Sequence, residues 1–338
     1  MRSLKSKPDL NTLYEGIVNG DRVLLGKGIT LIESSLGEDI ELASTLLEKI
    51  LPHSGKSLRI GITGIPGVGK STFIESFGQH IVDGGTRLAV LSIDPTSSVT
   101  RGSILGDKTR MEKLSKDQRA FIRPSATALT LGGVAAHTRE CMLLCEAAGY
   151  EVVIVETVGV GQSETAVRSM VDFFLLLMIA GAGDELQGIK KGIIELADGI
   201  VITKADGDNV DAAIRAKNVL VDALHFINGH ATSWKPPVLT SSAYHGTGIA
   251  DVWSMVQRFD EQSRSHGHFQ TSRMLQNVSW FNEFFSDLLY SNLHIEDSLK
   301  ELKRELESSV AEAKLPARAA AKKLMKAYHD MIRRSDDQ

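Results

Sequence analysis

The sequence predicts an α/β protein: a P-loop NTPase fold with a mainly parallel sheet flanked by helices, extended at both ends by helical segments. Three observations predict it. The stretch Gly64-Ile-Pro-Gly-Val-Gly-Lys-Ser71 fits G-x-x-x-x-G-K-[ST] and lies between a strand-like and a helix-like run. From Leu58 to about Phe259, short apolar strands alternate with helix-length segments, the pattern of a sheet covered on both faces. After about Gly267 the strand pattern stops.

Taken in order, residues from about Asp9 to Ile50 read as two or three helices. Leu10, Leu13 and Ile17, then Leu42, Leu46 and Leu47, recur at helical spacing. Pro52-His-Ser-Gly-Lys-Ser57 is turn-like and separates this segment from the strand that leads into the P-loop. The expected strands are Leu58–Thr63, Leu88–Ile93, Ala120–Arg123, Val152–Glu156, Phe174–Ala180, Gly199–Thr203 and Val238–Thr240. Gly132–Ala148 and Val210–Ile227 are among the helices between them. Ligands on such sheets bind at the C-terminal ends of the strands, and each of the motifs falls there. Val278–Leu289, Ile295–Ala313 and Pro316–Ile332 read as three final helices, with Pro316 suited to a first turn. Leu299, Leu302, Leu306 and Val310 give the middle one an apolar stripe. The expected segments are therefore 1–56, helical; 57–266, the nucleotide domain; and 267–338, a helical arm.

Composition narrows the function classes. The chain has 338 residues, 42% hydrophobic and 24% charged, an ordinary globular balance. A net charge of −4 gives no reason to expect nucleic acid or an anionic membrane as partner. Only two cysteines, Cys141 and Cys145, exclude a disulfide scaffold and suit a reducing compartment. The longest apolar run, Phe173–Ala180, is far short of the ~20 residues of a membrane span. The N-terminus lacks the apolar core of a signal peptide and the long Arg/Ser-rich stretch of a transit peptide, so a cytoplasmic protein is expected.

The P-loop supplies the chemistry. Its glycines let backbone N–H groups converge on a β-phosphate, and the following helix adds the positive end of its dipole. The phosphate-binding candidates are Gly64, Ile65, Pro66, Gly67, Val68, Gly69, Lys70, Ser71 and Thr72. Lys70 would bridge the β- and γ-phosphates, and Ser71 would ligate Mg²⁺.

Base choice is read from Val201-Ile-Thr-Lys204-Ala-Asp206, which fits [NT]-K-x-D after a buried strand. Asp206 would accept hydrogen bonds from guanine N1–H and N2–H₂. Adenine lacks that donor pair and would leave the carboxylate unpaired. Lys204 would lie over the base plane, and Thr203 replaces the commoner Asn. Thr240-Ser-Ser-Ala243 ends the next strand, so Ser242, Ala243 and Tyr244 are candidates beside the base.

Glu156 ends the strand Val152–Val155, where a Walker B carboxylate orients Mg²⁺, and Asp94 ends the strand Leu88–Ile93. The water-orienting Gln of small signalling GTPases directly follows the strand-end Gly. Here Val160 and Gly161 intervene between Gly159 and Gln162, so slow intrinsic hydrolysis is expected. His137, Cys141 and Cys145 share one helix face. Three such residues can ligate a metal, but burial against the sheet is the expected role.

With these residues in hand, the chain closely resembles the MeaB/ArgK family of P-loop GTPases. The resemblance rests on Gly102-Ser-Ile-Leu-Gly-Asp-Lys-Thr-Arg-Met111, Leu143-Leu-Cys-Glu-Ala-Ala-Gly-Tyr150, Val155-Glu-Thr-Val-Gly-Val-Gly-Gln-Ser-Glu164 and Gly181-Ala-Gly-Asp-Glu-Leu-Gln-Gly-Ile-Lys-Lys-Gly192. It implies a GTP-binding, GTP-hydrolysing chaperone that assists cofactor loading and protection of an adenosylcobalamin-dependent methylmalonyl-CoA mutase. It further implies a homodimer formed through the C-terminal helices. Asp94 to Met111 would be a first switch, with Asp94 and Asp107 near Mg²⁺. Glu156 to Glu164 would be the second. Asp184 to Lys191 would be a third, carrying Gln187 and Lys190, that couples the mutase to hydrolysis. Arg110 and Lys190 are then candidates for charge stabilisation on the phosphates. Thr96, Ser98 and Arg101 depart from the family's Ser, Pro and Gly.

Two readings compete. A P-loop kinase acting on a metabolite or transport protein is disfavoured by Thr203-Lys-Ala-Asp206, which selects guanine. A nickel-insertion GTPase is disfavoured by the lack of Cys/His ligand clusters.

Overall fold

The computed structural model describes residues 8–93, 111–124, 131–157, 163–180, 191–226, 234–292 and 297–336. The chain divides into two compact units, Met1–Arg273 and Met274–Gln338.

The first unit opens with three helices, α1 (Leu10–Val18), α2 (Arg22–Ile32) and α3 (Gly37–Ile50). Asp9 caps α1 by accepting from Thr12 N at 3.0 Å, and Asp21 caps α2 by accepting from Val23 N and Leu24 N. Their apolar faces pack on α6 (Leu131–Ala147). The approach is close enough that a Cβ on Gly28 would stand 2.8 Å from both Ile17 and Leu144. A glycine is needed there for space alone.

Seven parallel strands form the sheet: β1 (Leu58–Gly64), β2 (Leu88–Ile93), β3 (Ala120–Pro124), β4 (Val152–Thr157), β5 (Phe173–Ile179), β6 (Gly199–Thr203) and β7 (Val238–Thr240). Each lies within a residue or so of its predicted span. Their order is β3-β2-β4-β1-β5-β6-β7. The alternation of strands and helices forces parallel pairing, because each strand must be re-entered from the same end. β1 pairs with β4 on one side and β5 on the other, with Ile62 opposite Glu156 and Gly64 opposite Leu177. The P-loop strand is therefore central, and its C-terminal end faces the crevice where such sheets bind ligands.

On one face, Ile60, Ile62, Leu175 and Leu177 pack against Phe73 and Phe77 of α4 (Lys70–Asp83) and Val252 and Met255 of α10 (Ile249–Ser265). Leu176, Ile200 and Ile202 form a second cluster with Ala213 and Leu220 of α9 (Val210–Phe226). Shorter helices α5 (Glu112–Lys116), α7 (Ser163–Arg168) and α8 (Lys191–Leu196) complete the order.

The helices α11 (His268–Asn292), α12 (Asp297–Ala311) and α13 (Ala317–Asp336) end the chain. α11 starts well before the expected Val278. Gly267, at φ 72°, separates it from α10. Its opening residues lack an apolar stripe and are held instead by Arg273. The Arg273 guanidinium binds Asp172 at 2.6 and 2.7 Å and lies 4.9 Å from the Phe269 ring centre. Ion pairing to a distant residue leaves no periodic signal, so the first turns were not legible in the sequence.

Among the described residues no helix is long and apolar enough to cross a membrane.

Candidate functional site

The loop from Gly64 to Ser71 leaves the end of β1 and enters α4. Gly69 stands at the start of α4 with φ 96°, where a side chain would be strained. A Cβ on Gly64 would approach the Leu177 carbonyl oxygen to 2.5 Å. Val68 is fully buried, Ile65 is partly buried against the core, and Pro66, Gly67 and Thr72 are exposed. The loop is thus pinned from below while its outer backbone stays open.

Lys70 folds back over this loop, donating from Nζ to Gly64 O at 2.7 Å and Ile65 O at 3.2 Å. Burial lowers its pKa from the usual lysine value, and the negative charges of Glu156 and Glu164 oppose that fall. A phosphate chain arriving at the loop would add compensating negative charge.

Glu156 is buried near the end of β4 and is held by two hydroxyls. Ser71 Oγ donates to Oε1 at 3.1 Å, and Ser92 Oγ, on the neighbouring strand β2, donates to Oε2 at 3.2 Å. A hydroxyl and a carboxylate at hydrogen-bond distance form a hard oxygen pair of the kind that Mg²⁺ takes. One rung further, Thr157 Oγ1 donates to Thr63 Oγ1 at 2.8 Å between fully buried side chains. That bond ties the strand before the P-loop to the strand before the next loop.

The base-side residues gather from three separate segments. Thr203 Oγ1 lies 2.7 Å from Val68 O and 3.1 Å from Met178 O. Its hydroxyl therefore links β6 to the phosphate loop, with Thr standing in for the commoner Asn. Lys204 takes a left-handed φ of 55° and donates from Nζ to Gly67 O at 2.9 Å, so its stem spans the gap between the two loops. Asn209 fixes that turn by donating to Lys204 O at 2.7 Å. Ser242, fully buried, donates its hydroxyl to Asp206 Oδ2 and orients the carboxylate. Ser242 N bonds Thr247 O at 3.0 Å, closing the turn that carries the partly buried Ala243 and the 86% exposed Tyr244.

Asp94, Asp107, Arg110, Gln162, Gln187 and Lys190 lie outside the described residues. No cluster of three or more His, Cys, Asp or Glu that could hold a metal occurs among the described residues. The Cys141 and Cys145 thiols are buried, and burial pushes both of them up. His137 lies 3.5 Å from Glu140, which raises its pKa.

Sequence reasoning passed over two contributors and gave a third, Glu164, no role beyond closing the second switch. Ser92 and Thr63 act through partners on other strands, which no local motif encodes. Glu164, in the first turn of α7, is 6% exposed, and its buried Oε2 has no hydrogen-bond partner among the described residues. A cavity of about 660 Å³, lined by His53, Tyr150, Trp253 and Arg264 among others, lies at the opposite, N-terminal ends of the strands. Its acids Glu146 and Asp260 already hold arginines.

The model of one protein family, described as methylmalonyl Co-A mutase-associated GTPase MeaB, matches residues 25–298. A putative GTPase of Caulobacter vibrioides is 49% identical over 95% of this chain and 98% of its own length. The GTPase ArgK of Escherichia coli is 45% identical over 90% and 92%. The mouse mitochondrial methylmalonic aciduria type A homolog is 42% identical over 96% and 80%. Among solved structures, a LAO/AO transport system kinase superposes with a TM-score of 0.76 at 37% identity, over 95% of this chain and 97% of the other.

Proposed function

Since the chain belongs to the family of methylmalonyl-CoA mutase-associated GTPases, MeaB, we propose that it couples a Mg²⁺-dependent GTP cycle to the care of an adenosylcobalamin-dependent acyl-CoA mutase. In this reading it hydrolyses GTP to GDP and phosphate. The cycle assists assembly, cofactor loading and protection of a mutase of the methylmalonyl-CoA type.

The observation that carries the nucleotide half is one crevice holding Lys70, Ser71, Glu156 and Asp206, drawn from the ends of β4 and β6 and the start of α4. P-loop N–H groups bind the β-phosphate. Lys70 exchanges two carbonyls for β- and γ-phosphate oxygens. Ser71 and Glu156 would hold Mg²⁺, which when bound supplies charge neutralisation across those oxygens. Asp94 and Asp107 join that set, and Arg110, Gln187 and Lys190 act on the phosphates, on the sequence argument alone.

The solved relative is called a kinase. The Asp206 carboxylate, oriented by Ser242 for a donor pair that adenine lacks, favours GTP over the ATP that kinases mostly use.

The client half rests on the family's description. Phosphate release from GTP, measured with and without a methylmalonyl-CoA mutase, is expected to accelerate with the mutase. The two proteins are expected to co-purify in a nucleotide-dependent manner. Absence of both acceleration and co-purification would remove the client reading while leaving the GTPase standing.

We further assign residues 1–56 as a helical extension, 57–266 as the nucleotide domain and 267–338 as a dimerisation arm. Met274, Val278, Phe281, Phe285 and Leu288 of α11 recur at spacings of four and three and are all exposed. This is the seam by which two such helices pair, and a second copy of the chain is its occupant. Phe281→Asp with Phe285→Asp is expected to reduce the mass seen by light scattering from twice 36.7 kDa to one chain. An unchanged mass would place the interface elsewhere. The two free, buried cysteines fit a reducing cytoplasm.

A further inference from the structure

Glu164 is the group in this site that the motifs do not explain. It stands in the first turn of α7, the helix that follows β4. An acid there gains from the helix dipole, but that gain supplies no hydrogen bond to a buried carboxylate oxygen. Glu164 is buried, and Oε2 meets no donor among the described residues. A carboxylate oxygen removed from water without a donor costs stability, so the missing donor points to a ligand. Its charge acts on Lys70 together with that of Glu156. Because α7 follows β4, Glu164 in its first turn stands on the C-terminal side of the sheet, the side that carries the P-loop and Lys70, the residue that reaches β- and γ-phosphates in P-loop sites.

The ligand that supplies a donor there is water. A phosphate oxygen offers no proton and repels a carboxylate. In the sequence, the position that usually orients the attacking water, directly after the glycine of the Glu156-Thr-Val-Gly159 motif, is Val160, whose side chain has no polar group. Glu156, the other acid acting on Lys70, is already bonded to Ser71 and Ser92.

We propose that Glu164 holds the water that attacks GTP, accepting a hydrogen bond from it through Oε2. The proposal rests on the GTPase reading above. The water oxygen bonds to the γ-phosphorus while the bond from that phosphorus to the β–γ bridging oxygen breaks. The electron pair of the broken bond stays on GDP. The water's protons end on the inorganic phosphate and its solvent, and Glu164 fixes the direction of approach.

The test is single-turnover GTP hydrolysis by the full chain with Mg²⁺, using Glu164→Met and Glu164→Gln. Met keeps the bulk and removes the acceptor; Gln keeps an acceptor oxygen. Glu164→Met is expected to slow hydrolysis about 100-fold, the scale of losing alignment at a reacting centre. Glu164→Gln is expected to recover at least about a tenth of the wild-type rate. Affinity for GDP and for a non-hydrolysable GTP analogue stays within about threefold for both, and the Mg²⁺ concentration for half-maximal rate does not move. A Met variant within about threefold of wild type overturns the proposal. So does a Gln variant as slow as Met, a rate restored by raising Mg²⁺, or nucleotide affinity lost in step with rate. Absence of hydrolysis by the wild-type protein would instead overturn the GTPase reading beneath it.

Discussion

Replacing Asp206 with Asn is expected to lower affinity for GDP about 100-fold or more and to raise affinity for xanthosine diphosphate, reversing the preference between the two. In the proposed site the carboxylate would accept from two guanine N–H groups at once. An Asn presents one acceptor and one donor, and the donor faces guanine N2–H₂. Xanthine carries a carbonyl at that position and satisfies the amide. Ser242 sharpens the effect, because its hydroxyl donates to Asp206 Oδ2 and holds the side chain in one orientation. The wild-type chain is expected to prefer GDP to ADP by at least about 100-fold, since adenine strands the carboxylate. Calorimetric titration with GDP, ADP and xanthosine diphosphate decides the matter. Equal binding of ADP and GDP by the wild-type protein would show that Asp206 does not read the base.

Arg273→Met is expected to destabilise the first compact unit by about 3–5 kcal/mol, the cost of breaking a buried ion pair from one side. Arg273 binds Asp172 through two nitrogens, donates to Ser57 O at 2.9 Å and lies 3.6 Å from Glu146. Glu146 in turn receives Arg59 Nε at 2.7 Å, and Asp172 receives Arg59 N at 2.8 Å. All four side chains are buried, so the low local dielectric makes each charge costly when its partner leaves. Urea unfolding monitored by far-ultraviolet circular dichroism checks it. Asp172→Asn combined with Arg273→Met is expected to lose less than the sum of the single losses, because each change relieves a charge that the other strands. Additive losses would mean that the two side chains contribute independently. Binding of GDP to the folded fraction is expected to persist, because the cluster sits at the N-terminal ends of β1 and β5, away from the P-loop.

The phosphate loop, the strand order of motifs and the Thr203-Lys-Ala-Asp206 turn were legible because each is a run of consecutive residues. Spacing along the chain there dictates spacing in space. The strands were legible for a related reason: a strand buried on both faces must be apolar almost throughout, as Phe173–Ile179 is. The early start of α11 and the clamp on it were not legible, because Arg273 and Asp172 are 101 residues apart and meet only after the sheet has formed.

The chain by itself therefore determined the parallel α/β class and the P-loop and Thr203-Lys-Ala-Asp206 segments on which the proposed nucleotide site and choice of guanine rest. Each comes from local periodicity or from a contiguous loop. Tertiary structure alone decided which hydroxyls hold Glu156, how Thr203 ties its loop to Val68, and that Glu164 is buried with an oxygen that meets no donor among the described residues. Those are facts about neighbouring strands and layers, and hydrogen-bond partners separated by scores of residues leave no mark on local pattern until packing brings them together.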